Sequence, residues 1–213
     1  MSRKLAVVDL ALAAVEALAS WLNDLEVAYT TIGGLAVALV AQPRVTGDMD
    51  VTVWLGDWEM ADFVASGQPY GFVPRIPDAL EFARQHRVLL MQYQTPDDPE
   101  ATTTLDVSLA AMPFEREMLD RATSAELESV RLMIPTPEDL VIMKAVARRS
   151  KDVVDMASIL ELHPQLDRER VRDWTRQFAE VLEMPELLTE LEQLFQRIPI
   201  TTNPPTTRRR KKK

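Results

Sequence analysis

The sequence predicts a mixed α+β fold: a small sheet flanked by helices over residues 1–135, a helical region over 136–199, and a disordered basic tail over 200–213. Three observations carry this expectation. Runs rich in β-branched and aromatic residues alternate with helix-period segments as far as Ile134, and β signals become rare from Pro135 to Arg197. The last stretch, TTNPPTTRRRKKK, is a proline- and threonine-rich spacer ending in six basic residues.

The chain begins MSRKLAVVDLALAAVEALASW, whose basic start and apolar continuation imitate a secretory signal, but Asp9 and Glu16 interrupt the apolar run. It therefore reads as an amphipathic N-terminal helix. Val27 to Ile32 reads as a strand, Gly33-Gly34 as a turn, and the following LAVALVA as a helix. Asp48-Met49-Asp50 opens the strand VTVWL. Gly56 to Ser66 follows as a helix and GQPYGF as a turn, with Trp54, Trp58 and Phe63 expected in the core. A short helix over Pro77 to His86, a strand over Arg87 to Gln94 and a loop over Thr95 to Thr102 lead to the strand LDVSLA, which holds Asp106. Pro113 opens another helix with acids in its first turn, and Ser129 to Ile134 is a last short strand. Thr136 then caps a helix with Pro137 at its first position and Glu138 and Asp139 beside it. The helices beyond are expected to pack on the sheet and form one wall of a cleft.

Composition narrows the chemistry. With 46% hydrophobic and 27% charged residues in 213, the chain suits one large soluble domain or two small ones. Cysteine is absent. Thiol catalysis, disulfides and cysteine zinc sites are thereby excluded, and a reducing cytoplasm fits. Neither a nucleophile elbow nor a G-x-x-x-x-G-K-[ST] loop is present, and His86 and His163 have no partner at metal-ligand spacing. No segment approaches about 18 apolar residues, so no membrane span is expected.

The chemistry concentrates between Gly33 and Asp50. Glycine lets a ligand approach the backbone, and the first turn of the next helix offers unpaired N–H groups and a positive dipole end, which together suit a phosphate. Asp48 and Asp50 are two apart on a strand, so both point to one face. Like charges so placed favour a cation between them, and hard carboxylate oxygens suit Mg²⁺. Asp106 is a third acid, on a strand that as a neighbour would lie about 4.8 Å away. Three such acids suit two ions about 3.5 to 4 Å apart, as used in phosphoryl or nucleotidyl displacement.

Gly33-Gly34, the pattern Arg44-x-Thr46-x-Asp48-x-Asp50 and the later Asp106 resemble the signature of the DNA polymerase beta-like nucleotidyltransferase superfamily. More narrowly, they resemble its small bacterial branch, which includes AbiEii-type toxins of toxin–antitoxin systems. The resemblance implies a nucleotidyltransferase sheet with Asp48, Asp50 and Asp106 as catalytic metal ligands for Mg²⁺, two ions or Mn²⁺ in their place. Gly33, Gly34, Arg44, Thr46 and Lys144 would bind the nucleotide. Gly34 stands where many members carry serine, so a hydroxyl contact to phosphate gives way to backbone donors. Lys144 lies on an otherwise apolar helical face, where composition alone suggests a snorkelling surface lysine. The branch carries a lysine at this point, then basic residues and an aspartate, matched here by Arg148 or Arg149, Lys151-Asp152 and Asp155. By that analogy Asp152 is an accessory residue that orients a basic group or assists the acceptor; a helix-cap or salt-bridging role is the alternative.

The implied activity is Mg²⁺-dependent transfer of a nucleoside monophosphate from an NTP, ATP among the candidates, to an acceptor hydroxyl on tRNA, protein or a small molecule. A toxin role with a cognate antitoxin is one form of it. An aminoglycoside-type small-molecule transferase and a non-catalytic nucleotidyltransferase-like binding module are the alternatives. Charge pulls two ways: without the tail's six basic residues the net charge is −15, which suits a cationic acceptor, whereas the tail itself suits RNA.

Overall fold

The computed structural model describes residues 3–41, 47–95, 98, 100–128 and 130–199. Arg44, Thr46 and the basic tail lie outside the described residues. The chain divides into two compact units, residues 1–140 and 141–213.

The first unit is built on a five-stranded sheet. Helix α1 (Arg3–Asp24) leads into β1 (Ala28–Ile32), α2 (Gly33–Val40) and β2 (Met49–Trp54). Then come α3 (Met60–Ser66), β3 (Phe72–Pro74), α4 (Ala79–His86), β4 (Val88–Gln94) and β5 (Thr102–Leu109). The strand order is β1-β2-β5-β4-β3, with β2 and β5 parallel and the other pairs antiparallel. Helix α5 (Pro113–Arg121) and a separate hairpin of β6 (Thr123–Leu127) and β7 (Val130–Ile134) complete the unit, and α6 (Pro137–Ala147) begins in it.

Alternation explains the two faces of the sheet. Met49, Val51 and Val53 of β2, Leu105 and Val107 of β5, and Leu89, Met91 and Tyr93 of β4 are buried in one core with Leu18, Trp21 and Leu22 of α1. The residues between them, Asp50 and Thr52, Thr104 and Asp106, face the other way. Aromatic packing ties α1 to the sheet edge: the Trp21 ring lies 4.9 Å from that of Phe63 and 5.2 Å from that of Phe72. Its indole N–H donates to Ser66 Oγ at 2.9 Å, so a fully buried tryptophan keeps its polar atom satisfied.

Several expectations shift. The helix expected from Gly56 begins only at Met60, because Gly56 takes a left-handed conformation and the Trp58 N–H turns back to the Leu55 carbonyl. Trp58 is consequently 38% exposed and not a core residue. Two strands were not legible: β3 has three residues and ends in proline, and β6 is the polar run TSAEL. The strand expected at 129–134 is β7, and it pairs with β6 instead of extending the main sheet. Thr136 caps α6 as expected, its hydroxyl accepting from the Asp139 N–H at 3.3 Å.

The described residues of the second unit form helices joined by short connections. After α6 come α7 (Ser150–Leu162), α8 (Arg168–Val181) and α9 (Glu186–Arg197). Asp167 caps α8 through the N–H groups of Glu169 and Arg170. The unit is clamped by charge as well as by its apolar residues: Arg148 donates to Glu186 and Glu190, and Arg172 to Glu192. Among the described residues no helix is long and apolar enough to cross a membrane.

Candidate active site

Strand pairing assembles the acids. Asp50 of β2 and Asp106 of β5 are register partners on adjacent parallel strands, so their side chains leave the same face of the sheet. Asp48 precedes β2 and is exposed. Thr104, two residues before Asp106 and therefore on its face, donates to Asp48 Oδ1 at 2.7 Å. The spacing expected from sequence thus brings Asp48, Asp50 and Asp106 to one side of one strand pair.

Gly33 closes the site from the β1 side. Ile32 pairs with Asp50, and the chain turns directly into α2 with Gly33 at a φ of +66°. A Cβ built on Gly33 would lie 2.0 Å from Asp50 Oδ2. The carboxylate occupies the volume that any other residue would fill, and the left-handed backbone independently favours glycine. Both glycines belong to the first turn of α2, which starts two positions earlier than expected, and Ile32 supplies no side-chain cap to that turn. Gly33→Ala is expected to lose about 1–2 kcal/mol from backbone strain alone and to push the Asp50 carboxylate aside. Urea unfolding would measure the first effect, and loss of nucleotide binding the second.

The residue not anticipated from sequence is Arg75. Its Nη2 donates to Asp106 Oδ1 at 2.8 Å. Nothing in FVPR marks this arginine, because its place depends on a strand too short to recognise. Thr104 was not anticipated either, although its period-two spacing from Asp106, which puts both on one face, was a signal that could have found it.

Lys144 and Asp152 form a cluster of their own in the second unit. Lys144 is 3% exposed, so it is not a snorkelling surface residue, and its ammonium donates to Asp152 Oδ1 at 2.9 Å and Asp155 Oδ2 at 2.8 Å. Arg149 adds its own side-chain bonds to Asp152, whose Oδ2 also accepts the Arg149 backbone N–H at the start of α7. Burial would raise the Asp152 carboxyl, but the hydrogen bonds from Arg149 and Lys144 outweigh it and hold it at about 2 instead of the usual 3.8. A depressed carboxyl stabilises the fold fully above its unfolded value and loses that contribution as pH falls towards the folded one. Wild type is therefore expected to lose about 2 kcal/mol on acidification from pH 5 to 2 that Asp152→Asn does not, read from urea midpoints along the series.

The donor set fits a hard divalent ion: three carboxylates on one sheet face, beside a glycine turn that leaves them room. Among the described residues no three acidic or histidine side chains draw together as a closed ion site. In this arrangement Thr104 engages Asp48 and Arg75 engages Asp106.

Comparison with known proteins agrees with this architecture. Residues 109–193 match a family model described as "Nucleotidyl transferase of unknown function (DUF2204)". This segment is similar to a nucleotidyl transferase family, and the match spans less than half of the chain. The chain's fold is similar to that of the antibiotic-resistance factor ANT(2'')-Ia in a solution structure, with a TM-score of 0.50, 12% identity, and coverage of 88% of this chain and 97% of that one. An antigenic nucleotidyltransferase-like protein from Paracoccidioides brasiliensis aligns with a TM-score of 0.46 and 14% identity over 85% of this chain and 92% of that one. No curated protein sequence matches the chain significantly. The family match begins at Leu109, after the last of the three acids, so their grouping rests on the strand register and not on the matched segment.

Proposed function

We propose that the protein transfers a nucleoside monophosphate from an NTP to an acceptor hydroxyl, with pyrophosphate leaving, in a reaction that depends on Mg²⁺ held by Asp48, Asp50 and Asp106. The observation that carries this reading is the register pairing of Asp50 with Asp106 against the side-chain-free surface of Gly33. Bound there, divalent ions would neutralise charge on the transferred phosphoryl group and lower the pKa of the acceptor hydroxyl. The chain's own residues do the positioning. Asp48 and Asp50 would anchor the donor's metal, Asp106 would face the acceptor, and the uncapped first turn of α2 would offer backbone N–H groups to phosphate. Arg44 and Thr46 are proposed to shape or touch the phosphate site, as their place in the motif implies. Lys144 enters differently: a phosphate contact would require it to give up Asp152 or Asp155, so its present contacts support a structural duty first.

A small cationic acceptor is the reading that charge favours. The body without its tail carries −15, which attracts polyamine-like substrates and repels nucleic acid. RNA and protein acceptors, and with them a toxin function, depend on the tail or on a partner.

Thermal stability with each NTP, with and without Mg²⁺, tests the reading in wild type and Asp50→Asn. At one hundred times the dissociation constant, binding is expected to add about 2.7 kcal/mol. A metal-dependent shift lost in the variant supports the site and names the donor. No shift with any NTP would overturn it.

A further inference from the structure

The side chain of Arg75 starts two strands away from the acid it holds. Its backbone N–H donates to the Leu90 carbonyl at 2.9 Å, Leu90 pairs with Asp106, and Asp106 pairs with Asp50. These four residues form one row across the sheet, and the guanidinium reaches over Leu90 to meet the carboxylate at 2.8 Å. The pair is open to solvent and ions, with side chains 28% and 41% exposed. Asp106 and Asp50 sit on neighbouring strands about 4.8 Å apart, where two carboxylates repel each other unless a positive charge stands near.

We infer that Arg75 is a resident counter-cation, displaced from Asp106 by the divalent ion and then transferred to a phosphate of the metal-bound donor. This rests on the metal-dependent reading above. Arginine remains charged at any working pH, and its planar donor fork suits phosphate as well as carboxylate. An ion pair this exposed is weak enough to open when a divalent ion arrives. The exchange balances: Asp106 Oδ1 gives up an N–H donor for a metal ion, and the freed N–H groups pass to phosphate oxygens. Arg75 thus keeps the acids compatible before loading and binds the donor's phosphate afterwards.

Two affinities should move in opposite directions. Mn²⁺ uptake by the full chain, followed by the resonance of the free ion, is measured with and without a non-hydrolysable NTP analogue. Arg75→Gln is expected to bind Mn²⁺ alone roughly threefold to tenfold more tightly than wild type, and the Mn²⁺–analogue complex roughly tenfold more weakly. Arg75→Lys, which keeps a charge without the fork, should show smaller changes of the same signs and serves if the glutamine variant misfolds. Unchanged or weakened Mn²⁺ binding in a folded Arg75 variant overturns the inference, and if Asp50→Asn still abolishes binding the metal site itself stands. No Mn²⁺ binding by wild type, with or without any analogue, overturns the metal reading and this inference with it.

Discussion

Asp50→Asn is expected to lower nucleotidyl transfer by about a thousandfold or more while leaving the melting temperature unchanged or slightly raised. The two halves of this result have separate causes. Metal coordination contributes several kcal/mol of charge stabilisation to displacement at phosphorus, and each 1.36 kcal/mol or so is tenfold in rate. An amide keeps the shape of the carboxylate, so the close packing against Gly33 survives, but it is a poor ligand for a hard ion. Stability gains whatever repulsion Asp50 and Asp106 exert on each other across the β2–β5 pair. Single-turnover transfer and a thermal melt on the same preparation read both. Turnover near that of wild type would exclude Asp50 as a metal ligand, and a large fall in melting temperature would show that its duty is structural.

Lys144→Met is expected to destabilise the protein by about 3–5 kcal/mol, the largest effect of any single substitution considered in the second unit. The methionine matches the lysine stem in length but leaves Asp152 and Asp155 buried with one cation fewer between them. Arg149 still engages Asp152, whereas Asp155 loses its 2.8 Å bond to the ammonium. Converting both acids to asparagine in the same background should restore most of the loss, because the penalty comes from buried negative charge that has lost the ammonium and not from missing volume. Urea unfolding of the single and triple variants checks this. A loss below about 1 kcal/mol in the single variant would mean that water reaches the cluster and screens it.

Legibility followed the range of the interactions. Turns, caps and alternation are local, so the glycine turn after β1, the Thr136 cap and the strand carrying Asp106 could be read in sequence order. The three acids were legible because two lie two residues apart at the start of a β run and the third lies in another unmistakable β run. What placed them together is the nonlocal pairing of β2 with β5, which spacing made plausible and only the register shows. Arg75 could not be found, since its contact depends on which strand flanks β4 and on a strand of three residues. For Lys144 the apolar helical face was the correct signal, but a lysine on such a face either snorkels or pairs. The two carboxylates of α7 decide for pairing.

On the proposed function, the alternation of β5 couples quality control to catalysis. Leu105 and Val107, which flank Asp106, are both fully buried. If β5 slipped by a single residue along β2, every side chain would change faces: two apolar residues would enter solvent, and the carboxylate would be driven into the hydrocarbon interior. A chain with a misaligned sheet would therefore lose the proposed metal site and its stability at once, which leaves it open to proteolysis. Long-lived but defective copies are disfavoured by the same two-residue period that aims the acid.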